Sequence, residues 1–270
     1  MIERISPALA ATLLAPLLLV PTVDAEVRVS KVFGSHMVLQ QEKPIRIWGT
    51  ADPGEKVTVE LADRKGTATA DPKGHWRVNL EPLKADGKAH TMTIRGSNTL
   101  TLEDILLGEV WLCSGQSNME WSVKASHDPQ NEIAAAKHPQ IRLYNVPGHV
   151  AQPQPDDDPR GSWQVCSPAS VADFSAVGYY FGRDLQQELK VPIGLVGTNW
   201  GGTRIEPWTP PVGFREVAGL DDYLASIELS DPGTEAGRKA RQAHLEKVAS
   251  WLENARKATG EGQDPGNPPT

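Results

Sequence analysis

Apolar and polar positions alternate in short runs over residues 27 to 105. The runs fall at residues 45–48, 57–61, 76–80, 92–94 and 100–102. Alternation of this period marks strands with one buried face. Turn signals separate the runs: Asp52-Pro53-Gly54, Asp71-Pro72-Lys73-Gly74, Asp86-Gly87 and Gly96-Ser97-Asn98. Closely spaced short strands with such punctuation predict a small antiparallel β-sandwich over residues 26–107.

The pattern changes at Gly108. Residues 109–113 form a compact apolar run that stops at Ser114 and Gly115. Residues 129–138 read as a short helix, residues 140–144 as a strand, and the Pro- and Asp-rich stretch 147–159 as a surface loop. Residues 175–189 give an amphipathic helix, with Val177, Phe181, Leu185 and Leu189 four apart and Phe174 just ahead. Residues 192–196 have the composition of a buried strand. Strand–helix–strand alternation predicts an α/β domain with a parallel sheet over residues 108–270. Within it, residues 233–270 read as a helical insertion and linker. Leu245, Val248, Ala249 and Leu252 make one apolar helix face, and residues 260–270 are polar and rich in Gly and Pro. A linker in that place is the pattern of a chain that stops in mid-architecture.

The first 25 residues read as an export signal. Arg4 supplies the charge, residues 8–20 are apolar, and Val23 and Ala25 stand at the −3 and −1 positions of a cleavage site. The apolar run falls short of the ~20 residues that span a bilayer. A secreted or periplasmic protein, free of the membrane after cleavage, is the expectation. A net charge of −7 gives no electrostatic case for nucleic acid or an anionic membrane surface. Eight Trp against four Phe and four Tyr suits a carbohydrate ligand, although core packing accounts for most of them more simply. In an oxidising compartment Cys113 and Cys166 either pair or remain two buried thiols. No Cys/His group has zinc-ligand spacing.

Two segments have the composition of a reactive site. In Gly115-Gln116-Ser117-Asn118-Met119, a serine follows an apolar strand and a glycine where a helix would begin. Such a turn exposes a hydroxyl and frees its N–H for an oxyanion. Motif shape alone leaves open whether Ser117 is a nucleophile or whether Ser117 or Asn118 merely caps the helix. Thr198-Asn199-Trp200-Gly201-Gly202-Thr203 follows another buried strand, where open α/β sheets bind ligands. Taken by itself, the segment is explained better as a plain Gly-Gly turn.

The block from Gly108 to Glu120, Gly-Glu-Val-Trp-Leu-Cys-Ser-Gly-Gln-Ser-Asn-Met-Glu, resembles the nucleophile block of the sialate O-acetylesterase family, which belongs to the SGNH hydrolases. The resemblance runs from Phe33-Gly34-Ser35-His36-Met37-Val38-Leu39-Gln40 and Ile47-Trp48-Gly49-Thr50-Ala51 to Trp200-Gly201-Gly202-Thr203 and Pro207-Trp208. It implies an SGNH, flavodoxin-like parallel sheet. It implies that Ser117 attacks an O-acetyl ester on a sugar and that an acyl-enzyme then releases acetate. The oxyanion would be held by the Ser117 N–H, by Gly201 or Gly202, and by a side-chain amide. Gln116, Asn118, Trp200 and Arg204 would contact substrate, with Trp121 and Trp208 as further stacking candidates and Asn199 as a secondary one. The reaction needs no metal or organic cofactor. The partner is an acetylated sugar or glycan, and no oligomeric state is implied.

A serine nucleophile needs a base, which SGNH enzymes take from a late Asp-x-x-His. None of His36, His75, His90, His127, His138, His149 and His244 has Asp three residues before it. The family's later Gln-Gly-Glu segment is missing as well. The expectation is therefore an α/β hydrolase domain incomplete at its C-terminus and inactive alone. The alternative is a non-catalytic carbohydrate-binding protein derived from such an esterase.

Overall fold

The computed structural model describes residues 26–148 and 153–269. The expected export signal and His149 lie outside them. The strands are β1 (Arg28–Val29), β2 (Val38–Gln40), β3 (Ile45–Thr50), β4 (Lys56–Leu61), β5 (Arg64–Thr69), β6 (His75–Leu80), β7 (His90–Arg95), β8 (Thr99–Gly115), β9 (His138–Asn145), β10 (Trp163–Cys166) and β11 (Ile193–Asn199). The helices are α1 (Ser117–Glu120), α2 (Pro129–Ala135), α3 (Pro168–Val171), α4 (Ala176–Leu189), α5 (Pro211–Arg215), α6 (Asp221–Ser230) and α7 (Glu235–Gly260). The result is a mixed α/β fold. A three-stranded sheet has the order β1-β3-β6, and a larger mixed sheet the order β10-β9-β11-β8-β7-β4-β5, with β2 also paired to β8.

The amino-terminal strands form where alternation predicts them. Val57, Val59 and Leu61 of β4 and Trp76, Val78 and Leu80 of β6 point inward into one core shared by the two sheets. β5 was invisible to the hydrophobic pattern because its sequence, Arg-Lys-Gly-Thr-Ala-Thr, is polar. It forms because the chain reverses after β4 and pairs antiparallel to it, Lys56 opposite Thr69 through to Leu61 opposite Arg64. Its Arg64 and Lys65 charge the outer edge of the sheet, which discourages further strand pairing.

The two runs at 100–102 and 109–113 belong to one 17-residue strand, β8. Gly108, which reads as a breaker, lies within it. Its carbonyl accepts from the Gln41 N–H, and a Cβ there would meet the Pro192 carbonyl oxygen. The glycine marks a close backbone approach, not a turn. β8 is antiparallel to β7 over its first part and parallel to β2 and then to β11 over the rest. The helix expected at 129–138 stops at Ala135 because His138 already belongs to β9. Helix α4 covers one face of the parallel strands, with Ala176 and Tyr179 packed among Cys113, Ile141, Leu143, Ile193 and Leu195.

The apolar face expected on α7 is not buried. Leu245 is 59% and Leu252 44% exposed, while Gly237 and Ala255 are the covered positions. A 26-residue helix is about 39 Å long. It packs on the 10-residue α6, too short to cover it. Cys113 and Cys166 are both free and buried. They sit on β8 and β10, three strand spacings apart, or about 14 Å. That is twice the reach of a disulfide, about 7 Å between Cα atoms.

A buried arginine ties the two regions together. Arg142 of β9 is 4% exposed. Its Nη1 and Nη2 donate to the Asp104 carboxylate of β8 at 2.6 and 3.1 Å, its Nε to the Pro139 carbonyl at 3.0 Å, and Nη1 also to the His36 carbonyl at 3.2 Å. His36 Nδ1 meets the same Asp104 carboxylate at 2.7 Å. These bonds hold the Asp104 carboxyl below its ordinary pKa, Arg142 contributing most and His36 adding to it, against opposition from burial.

Two outcomes follow. Asp104→Ala strands the Arg142 charge and costs about 3 kcal/mol of folding stability in urea titrations, the lower end for a broken buried pair because Asp104 is partly exposed. A depressed carboxyl contributes its stability fully above the ordinary carboxylate pKa and loses it as pH falls through the folded value. Asp104→Asn therefore flattens the acid limb of a Tm-against-pH curve, and an unchanged limb would contradict the pairing. Burial also pushes the Cys113 and Cys166 thiols up to about 11 and about 12. Neither reacts with Ellman's reagent until the protein is unfolded, and prompt reaction of the native protein would show the core to be open.

Candidate active site

β8 and β11 run parallel and in register, from Glu109 opposite Ile193 to Gly115 opposite Asn199. Two strands that end side by side deliver the segments after them to one place. Gly115, at φ 145°, sits in a region that residues with a Cβ rarely adopt. It turns the chain through Gln116 into α1, whose first residue is the exposed Ser117. The helix cap is Gln116, not Ser117 or Asn118. Its Oε1 accepts from the Ser117 N–H at 2.8 Å and from the Ser117 hydroxyl at 2.5 Å.

The turn after β11 folds onto α1. The Trp200 N–H donates to the Gly115 carbonyl at 3.0 Å, and the Gly201 N–H to Glu120 Oε2 at 2.8 Å. A Cβ on Gly201 would meet that carboxylate oxygen and lie 3.5 Å from Ser117 Cα. Only glycine passes there without displacing Glu120. Thr203 Oγ1 donates to the Trp200 carbonyl at 2.7 Å and accepts from Trp208 Nε1 at 2.9 Å, which closes the loop on itself.

Ser117, Gln116 and Gly201 are thus brought together. Gly202, at φ 75°, is exposed beside them. Asn199 ends β11 opposite Gly115. Trp200 is half-buried in the strapped turn, while Asn118 and Arg204 are exposed. Trp121 is 59% exposed and Trp208 half-buried, and their indole N–H groups are committed, to the Ala125 carbonyl and to Thr203. The residue that sequence reasoning left without a role is Glu120. It stands in the same block as Ser117, but its partner is 81 residues away, and no local pattern indicates that pairing. The Ser117 and Gly201 N–H groups, the expected oxyanion donors, each hold a side-chain oxygen in this state. Chemically the site offers an exposed hydroxyl and two backbone donors whose present acceptors a carbonyl oxygen would have to displace.

The described histidines have other partners or are exposed. His36 is engaged with Asp104, His90 with Asp86 at 3.1 Å and His138 with Tyr179 at 3.3 Å, while His75 stands 3.7 Å from Asp71. His127 and His244 are exposed. Among the described residues, none hydrogen-bonds Ser117.

Residues 107–228 match the family described as carbohydrate esterase, sialic acid-specific acetylesterase. The chain is 35% identical over 201 residues to the sialate O-acetylesterase of Mus musculus, an alignment covering 67% of this chain and 37% of that protein. It is 34% identical over 226 residues to that of Homo sapiens, covering 76% and 43%. Among solved structures, a carbohydrate acetylesterase from Xanthomonas citri superposes with a TM-score of 0.64 at 34% identity, covering 68% of this chain and 43% of that one. The chain therefore spans less than half the length of these relatives. Over residues 107–228, which carry both the Ser117 turn and the Gly201 turn, the chain belongs to the sialic acid-specific acetylesterase family of carbohydrate esterases.

Proposed function

We propose that this chain carries the nucleophile half of a carbohydrate O-acetylesterase site of SGNH type. Ser117 Oγ attacks the carbonyl carbon of an acetyl ester on a sugar. The C–O bond to the sugar breaks from the tetrahedral intermediate, the sugar hydroxyl leaves with a proton, and water hydrolyses the acetyl-serine. The Ser117 and Gly201 N–H groups stabilise the oxyanion once Gln116 and Glu120 release them, with Gly202 beside them. Gln116, Asn118, Trp200 and Arg204 face the sugar. The observation that carries this reading is the β8–β11 register, which places the Gly201 turn against Ser117.

The general base is proposed to lie outside these 270 residues. The hydroxyl of Ser117 rests on an amide oxygen, and a carboxamide cannot take its proton. The same observation favours the second reading, a secreted or periplasmic carbohydrate-binding protein that retains the fold without turnover.

Acetate release from O-acetylated sugars tests both halves. In a longer polypeptide that contains this segment and turns over, Ser117→Ala lowers kcat by about 10⁶-fold. The 270 residues alone release acetate no faster than their own Ser117→Ala variant. Turnover by the short chain that depends on Ser117 would place the base within it. A longer, active form indifferent to Ser117→Ala would remove the nucleophile assignment.

A further inference from the structure

The outward face of the three-stranded sheet holds a second candidate site, lined by no residue of α1 or of the Gly201 turn. Directly opposed residues of an antiparallel pair share a face. Arg28 opposes Thr50, Thr50 opposes His75, and Trp48 opposes Arg77. The neighbouring positions Ile47, Trp76 and Val78 are buried, so this row looks outward. Trp48 is the one indole among the outward positions of β3 and β6, which are otherwise polar.

The acidic loop at residues 156–158 overhangs this face. The Asp157 carbonyl accepts from Ser30 Oγ at 2.6 Å and from Trp48 Nε1 at 2.8 Å, and Asp158 pairs with Lys31 at 2.8 Å. Between sheet and loop lies a cleft of about 670 Å³. That falls within the roughly 300–1,000 Å³ of small-molecule sites. Trp48 is half-buried, its ring edge-on to Phe33 at 4.5 Å between centroids and its Nε1 bonded to the Asp157 carbonyl, so the part of the indole that lines the cleft is held in place with little entropy left to lose.

The charges on the cleft select the ligand. Among the described residues, the guanidinium groups of Arg28 and Arg77 and the carboxylate of Asp157 have no side-chain or backbone partner. An anion attracted by the arginines meets Asp71, Asp156 and Asp157, and a cation meets the reverse. An apolar ligand would strand all of them without water. A neutral polyhydroxylated ring satisfies both signs, because each hydroxyl donates to a carboxylate and accepts from a guanidinium, and its C–H face covers an indole. We propose that this cleft binds a neutral pyranose unit of a glycan chain, stacked on Trp48 and hydrogen-bonded by Arg28, Arg77 and Asp157. The proposal does not rest on the esterase reading, since no part of the Ser117 turn lines the cleft.

Saturation-transfer difference NMR on the 270-residue protein, with xylohexaose as the neutral probe and sialyllactose as the anionic one, tests it. Xylohexaose is expected to receive saturation at millimolar concentration. Arg77→Ala should weaken its binding by at least about tenfold, the loss of one charged hydrogen bond, and Trp48→Ala should abolish it. Ser117→Ala should leave it unchanged. If Trp48→Ala fails to fold, Arg77→Ala and Asp157→Asn decide the matter, because neither side chain holds the fold together. Absence of transfer to xylohexaose, binding indifferent to both variants, binding lost in Ser117→Ala, or tighter binding of sialyllactose would each overturn the assignment.

Discussion

A single strand, Thr99–Gly115, is hydrogen-bonded in turn to β7, β2 and β11, and it joins the amino-terminal core to the strands that carry the site. Its first part is an antiparallel partner in the amino-terminal core, and its last part is a parallel edge of the helix-covered sheet. A strand continuous across both regions leaves no hinge between them. The position of Ser117 is thus set by packing that begins with residues such as Ile105 and Leu107, both fully or nearly fully buried. The change of partners is managed locally. Gln40 Oε1 accepts from the Val110 N–H, and the side-chain amides of Gln40 and Gln41 both donate to the Glu109 carboxylate at 2.9 Å. These groups satisfy the strand where β2 ends, as buried or half-buried backbone requires. Arg142 locks the same crossing from the side of β9.

At the far end of β8 the same demand for satisfied backbone shapes the site. The N–H groups of Ser117 and Gly201 are occupied by oxygens of Gln116 and Glu120. In the proposed reaction these oxygens are stand-ins, and the developing oxyanion replaces them. A neutral amide oxygen yields to an anion readily. A carboxylate does so only by rotating away, since two negative oxygens cannot share one donor cheaply. Glu120 holds the Gly201 turn against α1, and in the proposed reaction its departure would be part of the work of binding.

Much of the local structure was legible in the sequence. The alternation in β3, β4 and β6, the period of α4, and the apolar run before Gly115 are all set by which side chains can be buried within one segment. The reading failed where a segment's fate depends on a neighbour. Polar β5 is a strand because β4 is beside it. Gly108 continues a strand because Pro192 crosses it. The apolar stripe of α7 satisfies the helical period, but among the described residues its main packing partner is the shorter α6, and Leu245 and Leu252 remain in solvent.

The site divides in the same way. The sequence by itself determined that Ser117 follows a strand and a glycine at a turn, and that Gly201 and Gly202 follow another, because strand length and turn chemistry are properties of contiguous residues. Only the tertiary structure decided that these turns meet, that Glu120 joins them, that Gln116 rather than Ser117 caps α1, and that Cys113 and Cys166 lie too far apart to bond. Each of those outcomes follows from the order and register of strands in a sheet. Order and register are settled by the packing of all the strands together and are written in no single one of them.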